Sequence, residues 1–125
     1  MYLADTNIFL EILLDQEKSS ECKEFLENNY DKIFISDFSL HSIGVILFRY
    51  KKKELFEEFI KDILSEIKIL NLPSKAYEFF TTTADLPNLD FDDLYQYSVA
   101  KYFELEIVTM DSDFKKVTDI RIKFI

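Results

Sequence analysis

A chain of 125 residues with 24 acidic and 15 basic side chains, a formal net charge of -9, excludes a broad nucleic-acid-binding surface, because a field of that sign repels phosphates. Any nucleic acid must be held by a local patch, or through cations bound to the acids. At this length one domain over residues 1–125 can bury roughly two-thirds of the surface of its unfolded chain, and 48% hydrophobic residues, with 13 Phe and 7 Tyr, supply its core and exclude disorder.

Two Pro, one Gly and no internal repeat leave no flexible linker, low-complexity tract or solenoid. Charges interrupt every apolar stretch before the ~18 residues of a membrane helix are reached, so no membrane association is expected. Cys22 is alone and no signal peptide precedes the first apolar run. Both lead to the expectation of a reducing cytoplasm.

The first strand is "MYLAD", and it runs directly into Asp5, Thr6 and Asn7, all good helix N-caps. "IFLEILL" continues as a helix to about Asp15, and "SSECKEFLENN" reads as a second helix with Cys22, Phe25 and Leu26 on one packing face. "KIFIS" is a second strand. Ser36 or Asp37 can cap the helix "FSLHSIGVILFRY", which Lys51, Lys52 and Lys53 are expected to close, since cations suit a helix C-terminus. "ELFEEFIKDIL" is a further amphipathic helix and "EIKIL" a third strand. Ser74 is read as the cap of "KAYEFFTTT", and "ADLPNLD" as a loop because Pro87 and Asn88 break the helical pattern. "FDDLYQYSVAKYF" is a helix with Leu94, Tyr97, Ser98 and Lys101 on one stripe, followed by the strands "LEIVTMD" and "IRIKFI". Five strands alternating with about six helices give a three-layer α/β/α sandwich around a largely parallel sheet.

Ligands of open parallel sheets bind beyond the carboxyl ends of the strands. Asp5 and Asp111 stand at such ends, while Asp92 and Asp93 open the helix before the strand that ends on Asp111. If those two strands are neighbours, the acids converge. Crowded carboxylates repel one another by several kcal/mol unless a cation neutralises them or one keeps its proton, so convergence implies a divalent metal. Oxygen ligands favour Mg²⁺ or Mn²⁺, and the lack of Cys and His clusters disfavours zinc. Each acid also has a plainer reading: Asp5 as a helix cap, Asp92 as a first-turn acid, Asp111 and Asp113 as turn residues.

"LADTNIFLEILL" followed by "DFDDLYQYSVAKYFELEIVTMDSDF" resembles the PIN domain, the metal-dependent nuclease fold of many toxin-antitoxin ribonucleases. The resemblance spans the whole chain. Asp5, Thr6 and Asn7 match the family's Asp-Thr-Asn after the first strand, and Asp93 its aspartate at the start of a late helix. Thr109 and Asp111 match the Thr-x-Asp/Asn that ends the following strand, with Asp113 and Phe114 as the usual Asp-Phe. At one position the chain departs: where the family places a glutamate early in the helix after strand two, Ser42 stands. His41 is adjacent but points about 100° away, and Asp37 lies about a turn and a half earlier.

The resemblance implies that Asp5, Asp93 and Asp111 are catalytic and hold one or two Mg²⁺ or Mn²⁺ ions, supported by Thr6, Asn7, Thr109, Ser42, Asp92 and Asp113. It further implies an endoribonuclease acting on RNA, probable toxin of a pair with a small antitoxin that blocks the acidic crevice. The competing reading is a PIN-like binding or regulatory module that has lost activity through Ser42. A receiver-type phosphoryl-transfer domain also clusters acids at strand ends, but the expected lysine at the end of a late strand is missing. Arg49 with Lys51 to Lys53, and Lys115 with Lys116, are the local basic clusters. Family analogy and the surplus of phenylalanine on the third and fourth helices lead to the expectation of a homodimer.

Overall fold

The computed structural model describes residues 1–82 and 89–125. Its five strands are β1 (Tyr2–Ala4), β2 (Ile33–Ser36), β3 (Lys68–Leu70), β4 (Glu106–Thr109) and β5 (Ile122–Phe124). They form one sheet in the order β3-β2-β1-β4-β5, and every pairing is parallel. Among the described residues the helices are α1 (Thr6–Leu13), α2 (Ser19–Asn29), α3 (Asp37–Arg49), α4 (Lys53–Phe59), α5 (Phe79–Thr82) and α6 (Phe91–Tyr102).

The inner strands are buried on both faces, as a covered parallel sheet requires. Successive residues therefore feed opposite cores. Ala4 and Val108 pack with Ile8, Phe9, Leu26, Ile43, Leu47 and Phe59 beneath α1 to α4. Their neighbours Leu3 and Ile107 pack with Tyr97, Val99, Ala100 and Phe114 on the α6 side. This is the expected α/β/α sandwich.

Helix ends show both success and correction. Asp5 and Ser36 are the caps of α1 and α3, accepting from Thr6 N and Ser39 N. Ser74 is not a cap: it is the first residue of a 3₁₀ turn, Ser74–Glu78, which follows an extended Pro73 without a side-chain capping bond. The three lysines do not close α3 together either. Lys51 takes a left-handed backbone with φ of 56°, which turns the chain so that Lys53 begins α4. With a single glycine in the sequence, Asp15 and Glu104 take the same left-handed role after α1 and α6. The expected stripe on α6 is broader than a stripe, since Tyr95 to Ala100 are all buried while Lys101 reaches out to pair with Asp119 at 2.8 Å. Of the loop reading of "ADLPNLD", Pro87 and Asn88 lie outside the described residues. Asp90 is described, and it caps α6 by accepting from Asp93 N.

Candidate functional site

β1 is where the strand order reverses: β2 and β3 extend the sheet one way from it, and β4 and β5 the other. The crevice of such a sheet opens at that reversal, between the carboxyl ends of β1 and β4. Pairing of Ala4 with Val108 and the bond from Asp5 N to Val108 O at 2.9 Å put the two ends side by side. A cleft of about 300 Å³ lies there, lined among others by Asp5, Ser42, Asp90, Asp92, Asp93 and Asp111.

Asp5 is only 8% exposed, yet its carboxylate is well served. Oδ1 accepts from Thr6 N at 2.8 Å and from Gln96 Nε2 at 3.1 Å; Oδ2 accepts from Thr109 Oγ1 at 2.8 Å and Asn7 Nδ2 at 3.3 Å. Burial pushes its carboxyl above the ordinary range, the donors from Gln96, Thr109 and Thr6 work against that rise, and the charge of Asp111 adds to it. Four donors from three elements fix the orientation of this side chain before any ligand arrives. Thr109 also accepts from Asp111 N at 2.9 Å, and Asn7 Oδ1 from Met110 N at 3.3 Å. The Asp-Thr-Asn and Thr-x-Asp segments are thus stitched to each other.

The carboxylates of Asp93, Asp111 and Asp113 lie with one oxygen each within 4.8 Å of one another, a group that does not include Asp5, although Asp93 and Asp111 line the same cleft as Asp5. Asp93 is delivered by the first turn of α6. Asp111 and Asp113 come from the turn after β4, where Asp111 Oδ1 accepts from Asp113 N at 2.9 Å. The Asp93 carboxyl is pushed up to about 7, first by burial and then by the charges of Asp90, Asp111, Asp5 and Asp113. None of the cleft's described lining residues is a lysine or arginine, and the charges that act on Asp93 are all acidic. An all-carboxylate donor set crowded enough to push the Asp93 carboxyl up is the chemistry a hard divalent cation fits.

Thr6, Asn7, Ser42, Asp92, Asp93 and Asp111 line the cleft, as does Asp5, while Thr109 lies buried beneath Asp5. The side chains of His41 and Asp37 go elsewhere. His41 is exposed and borders a hollow between α3 and α4, and Asp37 Oδ1 accepts from Tyr95 OH at 2.6 Å. Arg49, the three lysines after it, Lys115 and Lys116 are exposed outside the cleft. Cys22 is wholly buried beside Met110 Sδ, with its thiol pushed up to about 11 by burial, and is packing as expected.

The sequence reading missed Gln96 and Ser39. Gln96 is 2% exposed and bonds both Asp5 and, at 2.6 Å, Ser39 Oγ. Ser39 Oγ in turn lies 2.8 Å from Thr6 Oγ1 and 3.2 Å from Ser36 Oγ. The available signal was spacing: Gln96 follows Asp93 by three positions and so shares its helix face.

A doubly wound parallel domain with aspartates gathered at its switch point is the class that this fold and site define. A family model described as the PIN domain matches residues 2–120, and the chain belongs to that family. A comparison with curated proteins gives no match. Among solved structures, the chain is similar to FitAcB from Neisseria gonorrhoeae, with a TM-score of 0.83 at 20% identity, covering 98% of this chain and 96% of that one. VapBC2 from Rickettsia felis bound to a DNA fragment from their promoter also gives 0.83 at 20%, covering 99% and 98%. VapC20 of Mycobacterium tuberculosis, a Sarcin-Ricin loop cleaving toxin, gives 0.75 at 14% identity, covering 97% and 99%. At these identities the likeness concerns the fold.

Proposed function

We propose that this protein is a metal-dependent endoribonuclease and the toxin of a toxin-antitoxin pair. The observation that carries the reading is the meeting of Asp93, Asp111 and Asp113 within 4.8 Å, with Asp93 and Asp111 in the same cleft as a buried and pre-oriented Asp5. Family membership and the likeness to VapC20, named as a Sarcin-Ricin loop cleaving toxin, support it.

Asp5, Asp93 and Asp111 would hold Mg²⁺ or Mn²⁺, with Asp113 beside them. When bound, such an ion lowers the pKa of a coordinated water and offsets the charge that grows on a phosphate under in-line attack. The chain's own residues do the rest. Thr109, Asn7 and Gln96 hold the Asp5 carboxylate in one orientation, and Asp90 fixes the first turn of α6 so that Asp93 faces the cleft. Without an ion the Asp93 carboxyl lies near 7; as a ligand of a bound cation it would be held ionised. The cytoplasm, an antitoxin bound over the acidic cleft and a homodimer through α3 and α4 complete the proposal.

One observation favours a second reading, a binding module without activity: Ser42 places a neutral hydroxyl in the cleft where the family's pattern has a carboxylate. The experiment separating the two is cleavage of single-stranded RNA with Mn²⁺ or Mg²⁺, alongside the melting temperature with and without Mn²⁺. Metal-dependent cleavage that EDTA stops and Asp93→Asn abolishes supports the nuclease. Cleavage by neither ion, with no Mn²⁺ effect on melting, overturns it.

A further inference from the structure

Five aromatic rings run in an unbroken file from the wall of the cleft to open surface. Phe38 lines the cleft beside Asp5 and Asp93. Its ring centroid is 5.8 Å from that of Tyr95, which is 6.3 Å from Tyr77. Tyr77 stacks on Phe80 at 5.4 Å with an interplanar angle of 15°, and Phe80 meets Phe91 at 5.1 Å. Phe91 is not itself in the cleft lining, but its neighbours in the chain, Asp90 and Asp92, are. Phe91 is 62% exposed and Tyr77 44%.

The charge of the cleft restricts what these rings can serve. A ribose-phosphate backbone arriving here meets Asp5, Asp90, Asp92, Asp93 and Asp111, and no lysine or arginine among the described lining residues. The protein's own charge therefore gives a nucleic acid nothing to hold at this place. Stacking of a base on an aromatic face does not depend on net charge and is open to every base. It needs an unpaired base, since a base inside a duplex already has both faces covered. Peptide segments could also cover exposed rings, but an exposed ring whose chain neighbours on both sides line a carboxylate cleft matches a ligand carrying a flat aromatic group near a phosphate.

We propose that Phe91 and Phe80, backed by Tyr77, form a stacking ledge for an unpaired base of single-stranded RNA next to the phosphate held at the carboxylates. The proposal rests on the nuclease reading and adds to it the residues that grip a base of the substrate. Phe91 offers the open face. Phe80 and Tyr77 hold its ring in place, and the buried Tyr95 connects them to Phe38 in the cleft wall.

The test uses the full chain with Ca²⁺ as the divalent ion and a short single-stranded RNA that carries a fluorescein tag and one 2-aminopurine. Anisotropy reports binding, and quenching of the 2-aminopurine reports stacking. Wild type should bind and quench. Phe91→Ala should weaken binding about tenfold and lose the quenching, Phe91→Leu should do the same despite its apolar bulk, and Phe91→Tyr should keep both. Melting temperatures should match wild type, since the ring is mostly in water. Full binding and quenching by Phe91→Ala and Phe91→Leu, in a protein whose wild type cleaves RNA, would overturn the ledge and leave the nuclease standing. Loss of a protein partner by these variants with RNA binding unchanged would overturn it as well. A wild type that neither binds nor cleaves RNA fails at the nuclease reading itself, and the ledge falls with it.

Discussion

Gln96 Nε2 donates to Asp5 Oδ1 at 3.1 Å across 91 positions of sequence, in a site where both side chains are buried. The amide ties α6 to the end of β1, and through Ser39 it ties both to α3. Its other end, Oε1, is buried with no hydrogen-bond partner among the described residues. Gln96→Leu removes a bond to a carboxylate, a loss of about 1.5–3 kcal/mol, but also an orphaned carbonyl of comparable cost. The net change in stability should therefore stay within about 1 kcal/mol. Gln96→Glu is different, because it sets a second buried carboxylate against Asp5. It should cost about 3 kcal/mol at pH 8 and much less at pH 5, where the new group keeps its proton. Urea unfolding at the two pH values checks this, and equal losses for both variants would contradict it.

The raised Asp93 carboxyl gives the metal-free protein a distinctive pH dependence. Its pKa is about 7 in the folded state against 3.8 for an unperturbed aspartate. Folding therefore favours the protonated form. That contribution is complete below about pH 3.8, shrinks as pH rises, and is gone once the folded-state value near 7 is passed. In EDTA the unfolding midpoint should fall between pH 5 and pH 8; saturating Mn²⁺ should flatten or reverse the fall. Asp93→Asn should remove most of the slope, be more stable than wild type at pH 8 in EDTA, and gain least from Mn²⁺. A midpoint in EDTA that rises over this range would show that the carboxylates are not crowded as described.

α3 and α4 enclose an apolar hollow of about 530 Å³ lined by Leu40, His41, Gly44, Val45, Phe48 and Phe56. Phe48 is 54% exposed and meets Phe56 edge-on at 5.8 Å. These are the helices on which the phenylalanine surplus suggested a partner copy. Light scattering at micromolar concentration should give a dimer mass, and Phe48→Glu should give a monomer with its melting temperature little changed. A wild-type monomer would remove the idea.

Much of the site was readable because its parts are local. Asp5 had to end a strand and begin a helix, and the Thr-x-Asp at the end of β4 carried the same stop. Their convergence needed only that β1 and β4 be neighbours. What the sequence hid depends on three elements meeting at once. Ser39 looks like an ordinary first-turn serine of α3, and Gln96 like a polar residue on an amphipathic helix. Each acquires its role only when α3 and α6 pack over the end of β1. The helix ends were misread for a different reason: Ser74 and the lysine run have favourable local propensities, but the backbone winds as a 3₁₀ turn at one and takes a left-handed residue at the other. Propensity says which residues suit a cap and not where the chain must turn.

On the proposed nuclease reading, Ser42 is the residue expected to limit the ion's coordination in this cleft. Its side chain shares the cleft with Asp5, Asp93 and Asp111, and a hydroxyl there leaves to water a coordination place that a carboxylate could take. Ser42→Glu adds one more charge to groups that already push Asp93 up to about 7. In EDTA the variant should melt below wild type at pH 8, and with Mn²⁺ it should gain more than wild type does. If the wild type cleaves RNA slowly, the variant should cleave about tenfold faster, a demand of about 1.4 kcal/mol on one added ligand. Asp93→Asn in the same background is the control and should be inactive. A variant that melts lower in EDTA, gains nothing from Mn²⁺ and cleaves no RNA would place Ser42 outside reach of the ion and favour the binding-module reading. Cleavage that survives Asp93→Asn would instead mark a contaminant, or a site elsewhere on the chain.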